Sequence, residues 1–344
     1  MSEAAMQGGG EGPLPIGAEL ESALLRALEP RLPGVRAIDG LRLLSGGASQ
    51  ESWSFDVVLG DDRRRGLILR RAPGARPGPT LAKKDEAGLQ ILARAAGVPV
   101  AEIVYVLVPG DGIGEGYVMQ RVEGESIARR ILREDELAHA RSMLARQCGE
   151  AAARIHGIDR DTLPELRALP PATLVENYRQ LYDSYGDPHP VFEWAFRWLE
   201  ERAPPSGELR LVHGDFRHGN VIVGPDGLRA VLDWEGAHLG DPMEDLGWIC
   251  VYSWRFGADP PVGGFGRRED LFAGYEAAGG GRVDPEHVRW WEIFGSLRWG
   301  VICQSQGFSH LLGYIRSVER AAIGRRSSET EVDLLNLILI EEGL

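Results

Sequence analysis

The sequence predicts an α+β chain of two lobes: a small antiparallel sheet carrying one main helix, then a larger and mostly helical part. Three observations carry this. Apolar and β-branched runs broken by Gly and Asp occupy only the first third of the chain. From about residue 134 onward, apolar residues recur at helical spacing. Within that helical part lies one β-rich island, LRLVHGDFRHGNVIVGPDGLRAVLDWE (209–235). The length, 344 residues, also exceeds the roughly 150 of one average domain.

Taken in order, residues 1–17 are acidic and glycine-rich and read as a flexible tail. Leu20, Leu24, Leu25 and Leu28 then share one face of a helix over 18–31. Three antiparallel strands follow between Leu41 and Arg71, with Gly60, Asp61 and Asp62 in a turn. The Pro/Gly-rich segment 72–80 leads into a helix over 81–96, ended by Gly97 and Pro99. Two more strands are expected near 101–108 and 116–121. Leu137, Ala140, Met143, Leu144, Cys148, Ala151, Ala152 and Ile155 mark a helix over 134–157, closed by Gly157. Segments 172–202, 267–278, 285–306 and 328–342 also read as helices. The lobes are expected to divide as 18–122 and 123–344.

Composition closes several function classes. Acidic residues outnumber basic ones 51 to 38, a formal net charge of −13, which argues against nucleic acid as a partner. Lysine occurs only at Lys83 and Lys84 and no Gly-Lys pair exists, so a Walker A loop is excluded. Cys148, Cys250 and Cys303 are far apart and form no CxxC, so neither a zinc cage nor a disulfide framework is indicated. The longest apolar run, LGWICVYSW, is much shorter than the ~20 residues of a membrane span, so no membrane partner is expected. The N-terminal stretch lacks the charged and apolar regions of a signal peptide, and a cytoplasmic location is expected. No GxSxG or HExxH points to a hydrolase, and GDGIGEG (110–116) fails the GxGxxG spacing and reads as a turn.

The chemistry concentrates in the island. His213-Gly214-Asp215 is followed by Asn220 and then by a second acid, Asp233, after the run LRAVL. If Val221–Val223 and Ala230–Leu232 pair across the turn Pro225-Asp226-Gly227, Asn220 and Asp233 come to adjacent strand ends. One amide and one carboxylate facing one spot are hard oxygen ligands of the kind Mg²⁺ takes together with substrate phosphates. Asp215, on the loop ahead of them, is placed to accept a proton from a substrate hydroxyl. The spacing H-x-D-x-x-x-x-N, then a metal-binding Asp, is that of a kinase catalytic loop.

On LVHGDFRHGNVIV and VLDWEGAHLGDPMEDLGW, the chain resembles the aminoglycoside phosphotransferase and choline kinase-like family of small-molecule kinases, over nearly its whole length. RRSSETEVDLLNL (325–337) is most similar to the branch resembling kinase-like domains attached to acyl-CoA dehydrogenases. The resemblance implies a bilobal protein-kinase-like fold using ATP and Mg²⁺. It implies Asp215 as catalytic base, Asn220 and Asp233 as Mg²⁺ ligands, His213 as a brace of the loop, and Asp241 and Asp245 as anchors of the segment after the metal site. Ser45, Gly46, Gly47, Ala48 and Ser49 resemble the phosphate-covering loop. YVMQRVEG (117–124) resembles the hinge, with backbone groups near Gln120 and Val122 as adenine partners. Glu86 matches the acid that orients the phosphate-binding lysine, but arginine stands in that lysine's place. Arg70 is the expected replacement, paired with Glu86. Arg71 would point to the opposite face by strand alternation, and Lys83 or Lys84 could reach in from the helix.

The expected activity is therefore transfer of the γ-phosphoryl group of ATP to a hydroxyl of a small molecule, an aminoglycoside-like or metabolic hydroxy compound. The alternative is a catalytically weak nucleotide-binding pseudokinase or scaffold, motivated by the arginine at 70. A protein kinase is disfavoured because no Ala-Pro-Glu segment follows Asp233.

Overall fold

A computed structural model describes residues 14–44, 50–72, 81–205 and 207–343. The chain forms two compact units, Met1–Ile91 with Ala101–Val122, and Leu92–Val100 with Glu123–Leu344.

The first unit opens with helix α1 (Gly17–Leu28), whose Leu20, Ala23, Leu24, Ala27 and Leu28 are all buried. Strands β1 (Val35–Leu43), β2 (Glu51–Leu59) and β3 (Arg64–Arg71) form an antiparallel meander. Helix α2 (Lys83–Ala95) separates them from β4 (Ile103–Val106) and β5 (Gly116–Gln120). The sheet order is β1-β2-β3-β5-β4. Alternation along β3 sorts its two faces: Leu67 and Leu69 join the α1 core with Phe55, Val57 and Val118, while Ile68 packs with Ala87, Tyr117 and Met119 on the α2 side. Arg70 therefore shares the α2 face and Arg71 the α1 face. Arg71 is fully buried there, bonded to Glu51 and to the carbonyls of Pro15 and Ile113.

The second unit begins with α3 (Ala128–Arg133), α4 (Ala138–His156), α5 (Pro171–Asp183) and α6 (Pro190–Glu201). It continues through β6 (Arg210–Val212), β7 (Val221–Gly224), β8 (Gly227–Val231) and β9 (His238–Gly240). It ends with α7 (Met243–Trp248), α8 (Arg268–Ala277), α9 (Pro285–Leu311), α10 (Val318–Gly324) and α11 (Ser327–Glu341). β7 pairs with β8 and β6 with β9 as separate two-stranded ladders. No helix among the described residues is long and apolar enough to cross a membrane.

Three expectations about the elements change. The helix read over 172–202 is two helices, because Gly186 takes φ +61° and Pro190 starts α6. The helix read over 134–157 starts later, after the 3₁₀ turn Asp135–Leu137. The end of α2 and the turn after it, 92–100, belong with the second unit, where Val231 donates its N–H to the Pro99 carbonyl at 2.8 Å.

Two glycines set the contact between α4 and α8. A Cβ at Gly149 would lie 2.0 Å from the Leu271 carbonyl oxygen, and one at Gly274 would lie 2.1 Å from that of Arg146. The helices thus meet backbone to backbone, and both carry residues of the site described next. Gly149→Ala should destabilise the protein by about 1–3 kcal/mol or more, as overpacking does, read as a lower urea midpoint. An unchanged midpoint would show that the helices can separate at no cost.

Candidate active site

The island folds as a hairpin followed by a return strand. Val221 faces Val231 and Ile222 faces Ala230, and Leu232 donates its N–H to the Asn220 carbonyl at 2.8 Å. Asn220 and Asp233 therefore stand at adjacent ends of one ladder. Asp233 is a non-glycine residue at φ +66°, ψ +69°, a conformation that costs on the order of 1–3 kcal/mol. The fully buried Trp234 beside it and the paired Leu232 before it hold the chain in that turn.

The loop between β6 and β7 carries Asp215, and its base is braced by side chains of four distant helices. Asp245, fully buried on α7, accepts the backbone N–H groups of His213 at 2.8 Å and Gly214 at 2.9 Å. His156, at the end of α4, lies 3.0 Å from the same carboxylate and 2.9 Å from the Tyr275 hydroxyl of α8. Burial works against the charge of Asp245, but its contacts with His156 and the loop prevail and hold its carboxyl below the usual range. Arg298 of α9 reaches the loop as well, donating to the Gly214 carbonyl at 2.9 Å, the Tyr178 hydroxyl at 3.0 Å and Glu244 at 3.2 Å. Gly214 takes φ +73°, and a Cβ there would lie 2.3 Å from the Gly236 carbonyl oxygen.

Asp215 itself is half-buried and fully engaged. One carboxylate oxygen accepts Arg217 Nε at 3.0 Å and Trp248 Nε1 at 2.8 Å, and the other accepts Asn220 Nδ2 at 2.6 Å. His213 is buried, which lowers its pKa and keeps it neutral. Its Nδ1 accepts the Asp215 N–H at 3.3 Å, and its ring meets Trp234 edge-on with centroids 4.9 Å apart. Asp241, two residues ahead of α7, accepts the Met243 N–H at 2.9 Å and pairs with His287, while Asp245 holds the loop.

In the first unit, Glu86 is fully buried and gathers two cations. Arg70 Nη2 lies 3.4 Å from it, Lys83 pairs with it from its own helix, and the Tyr117 hydroxyl donates to it at 2.7 Å. Arg70 also bonds the Gln50 side-chain oxygen at 2.7 and 3.1 Å. The two exceptional cations of the sequence, Arg70 on the strand and Lys83 on the helix, thus converge on one carboxylate, while Lys84 is exposed. Gln120 ends β5 with its N–H on the Glu102 carbonyl at 2.8 Å, and Val122 packs partly buried near Ile68. The loop Ser45, Gly46, Gly47, Ala48, Ser49 lies outside the described residues.

Sequence reasoning gave no place in the site to Arg217, Tyr275 or Arg298. Of these, only Arg217 carried a local signal, two residues beyond Asp215.

A cleft of about 850 Å³ opens elsewhere in the second unit, lined by Ile127, Arg129, Tyr252, Phe256, Val332 and Asp333 among others. Trp254, next to its wall residue Ser253, lies under Arg217 with the guanidinium 4.5 Å from the ring centre. Burial outweighs the nearby Arg255 and raises Asp333 to about 6.

Two predictions follow from this geometry. Asp245→Asn cannot accept both loop N–H groups and leaves a buried donor unsatisfied, so it should lower unfolding free energy by about 2–4 kcal/mol in urea titration, with Asp241→Asn costing less. Equal losses would remove Asp245 from its central place. For Asp333, the folded carboxyl binds its proton more tightly than the unfolded one, so ionisation penalises the fold above pH 6 and the penalty fades as pH falls toward the unfolded value. Asp333→Asn should therefore raise the thermal midpoint at pH 8 more than at pH 5, and a pH-independent effect would refute the assignment.

Residues 40–291 match the family model of the phosphotransferase enzyme family. Acyl-CoA dehydrogenase family member 10 of Mus musculus is 27% identical over 250 residues, covering 70% of this chain and 23% of that protein. The chain spans about a quarter of the length of the curated relatives it matches. Among solved structures, a Ralstonia eutropha JMP134 protein provisionally assigned as an aminoglycoside phosphotransferase superposes with a TM-score of 0.71 at 20% identity, over 93% of this chain and 98% of that one. Spectinomycin phosphotransferase, solved with ADP and spectinomycin, gives a TM-score of 0.59 at 13% identity over 90% of this chain and 94% of its own. The fold is thus that of kinase-like phosphotransferases. Since the family match takes in the sheet, the loop of Asp215 and the hairpin that carries Asn220 and Asp233, the chain belongs to the phosphotransferase enzyme family.

Proposed function

We propose that this protein transfers the γ-phosphoryl group of Mg²⁺-bound ATP to a hydroxyl of a small molecule. The observation that carries the reading is one hairpin bringing Asn220 and Asp233 to adjacent strand ends beside the loop of Asp215. Family membership and the ADP-bound structural neighbour support nucleotide use.

The donor set fits magnesium. Asn220 directs its Nδ2 to Asp215, which leaves its amide oxygen as a hard donor across the ladder from the Asp233 carboxylate. Two protein oxygens suit an ion that draws its other ligands from phosphates and water. When bound, Mg²⁺ would neutralise charge developing on the β- and γ-phosphate oxygens. Asp215 holds the acceptor hydroxyl and takes its proton as the acceptor oxygen bonds to the γ-phosphorus. The bond from that phosphorus to the bridging oxygen breaks, and ADP leaves with the electron pair. Trp248 and Asn220 keep the carboxylate oriented throughout. In the first unit, Arg70, oriented by Glu86, contacts the α- and β-phosphates, and backbone groups near Gln120 and Val122 meet the adenine. The match to acyl-CoA dehydrogenase family members favours a metabolic hydroxy compound over an antibiotic.

A second reading is a nucleotide-binding scaffold with weak turnover, favoured by the three donors already on Asp215.

The thermal unfolding midpoint with ATP, with Mg²⁺ and with both separates these readings. A ligand at a hundredfold excess over Kd stabilises by about 2.7 kcal/mol, so ATP and Mg²⁺ together should raise the midpoint beyond the sum of each alone, and Asp233→Ala should abolish the synergy. No shift with either would overturn the nucleotide reading. Synergy without ADP release in the presence of any hydroxylated acceptor would favour the scaffold. Asp233→Ala should also reduce single-turnover transfer more than Asp215→Ala, because charge stabilisation outweighs base catalysis in this chemistry.

A further inference from the structure

Arg217 stands apart from the other cations of the loop region. Arg298 has its guanidinium bonded to Tyr178, Glu244 and Gly214 and is structural on that count. Arg217 engages only Nε, 3.0 Å from Asp215, and its two terminal nitrogens have no hydrogen-bond partner among the described residues. The side chain is a quarter exposed, as is that of Asp215. An ion pair at that exposure stabilises a fold by only about 0–1 kcal/mol, so stability is a poor account of it.

The seat of the side chain is nonetheless built. The guanidinium lies over Trp254, which is 96% buried, at 4.5 Å from the ring centre. Trp254 in turn meets Trp248 with centroids 5.1 Å apart, and Trp248 donates to Asp215. On the other side, a Cβ at position 219 would lie 2.7 Å from Arg217 Nη1, so Gly219, at φ +121°, leaves room for the fork. The stacked ring restrains the fork and the missing Cβ leaves it room, without fixing its outer nitrogens to any partner among the described residues.

The position of that fork follows from the reaction. An acceptor oxygen must come within about 3 Å of the Asp215 carboxylate to deliver its proton, and the phosphorus must be about 3–3.5 Å beyond it. A side chain already touching that carboxylate reaches the phosphoryl group by changing rotamer. A planar fork of N–H donors matches phosphate oxygens two at a time.

We propose that Arg217 is the catalytic cation for the transferred group: it leaves Asp215 when nucleotide binds, grips the γ-phosphoryl oxygens, and in leaving frees one acceptor position, on the Asp215 oxygen that Trp248 still holds, for the acceptor hydroxyl. This rests on the nucleotide phosphotransferase reading above. It assigns to one residue two linked states, an idle pair with the base and an engaged contact with phosphate.

The test compares two nucleotides that differ in the γ-phosphate. Dissociation constants for Mg·AMP-PNP and Mg·ADP are measured by calorimetry on wild type, Arg217→Met, Arg217→Lys and Arg217→Gln, with apo thermal midpoints as the check on folding. Arg217→Met and Arg217→Gln should weaken Mg·AMP-PNP about ten- to hundredfold, the size of a lost charge-assisted pair, and change Mg·ADP less than twofold. Arg217→Lys should recover part of the loss. Equal losses for both nucleotides, or none for either, in a protein whose wild type binds both, would overturn the role of Arg217. Failure of wild type to bind either would instead overturn the nucleotide reading itself.

Discussion

Everything the loop of Asp215 can do depends on where Asp245 puts its carboxylate. A buried charge survives only where donors surround it, and here the donors are the two backbone N–H groups that precede Asp215, together with His156. The requirement runs in both directions. The carboxylate needs the loop, and the loop N–H groups of His213 and Gly214 need the carboxylate. Gly214 can take its left-handed turn against Gly236 only because it lacks a Cβ. Arg298 then fixes the carbonyl of the same residue, and Trp248, over which that guanidinium lies at 4.5 Å, fixes the Asp215 side chain.

This arrangement explains why so much helical structure surrounds so small a site. His156 ends α4, Tyr275 lies on α8, Asp245 and Trp248 on α7, and Arg298 on α9. The close approach of α4 and α8 at Gly149 and Gly274 decides whether His156 and Tyr275 can meet behind Asp245. Preorganisation of this kind is what phosphoryl transfer asks of a protein, since positioning and charge stabilisation supply most of the catalysis.

The parts legible in the sequence were those set by neighbours along the chain. The hairpin of Asn220 and Asp233 is local, and its turn residues and apolar runs announce it. Strand alternation alone separates Arg70 from Arg71. The braces Tyr275 and Arg298 were not legible, because they lie at least 60 positions from Asp215 in the sequence and sit at helical positions that read as ordinary core. The break between α5 and α6 is marked in the sequence by Gly186, Pro188 and Pro190, and the apolar spacing on both sides outweighed those signals in the sequence reading. The sharing of Glu86 by Arg70 and Lys83 depends on how α2 lies on the sheet, which spacing does not encode.

The central claim is that phosphate passes from ATP to a small-molecule hydroxyl. The most direct measurement incubates the protein with Mg²⁺ and ATP labelled in its γ-phosphate, with hydroxylated acids, amines and sugars, and follows the label by chromatography. The account predicts label in an organic phosphate monoester that alkaline phosphatase releases, with none formed by Asp233→Ala. Label that remains in ATP with every class of acceptor, or that appears only on the protein, would contradict it.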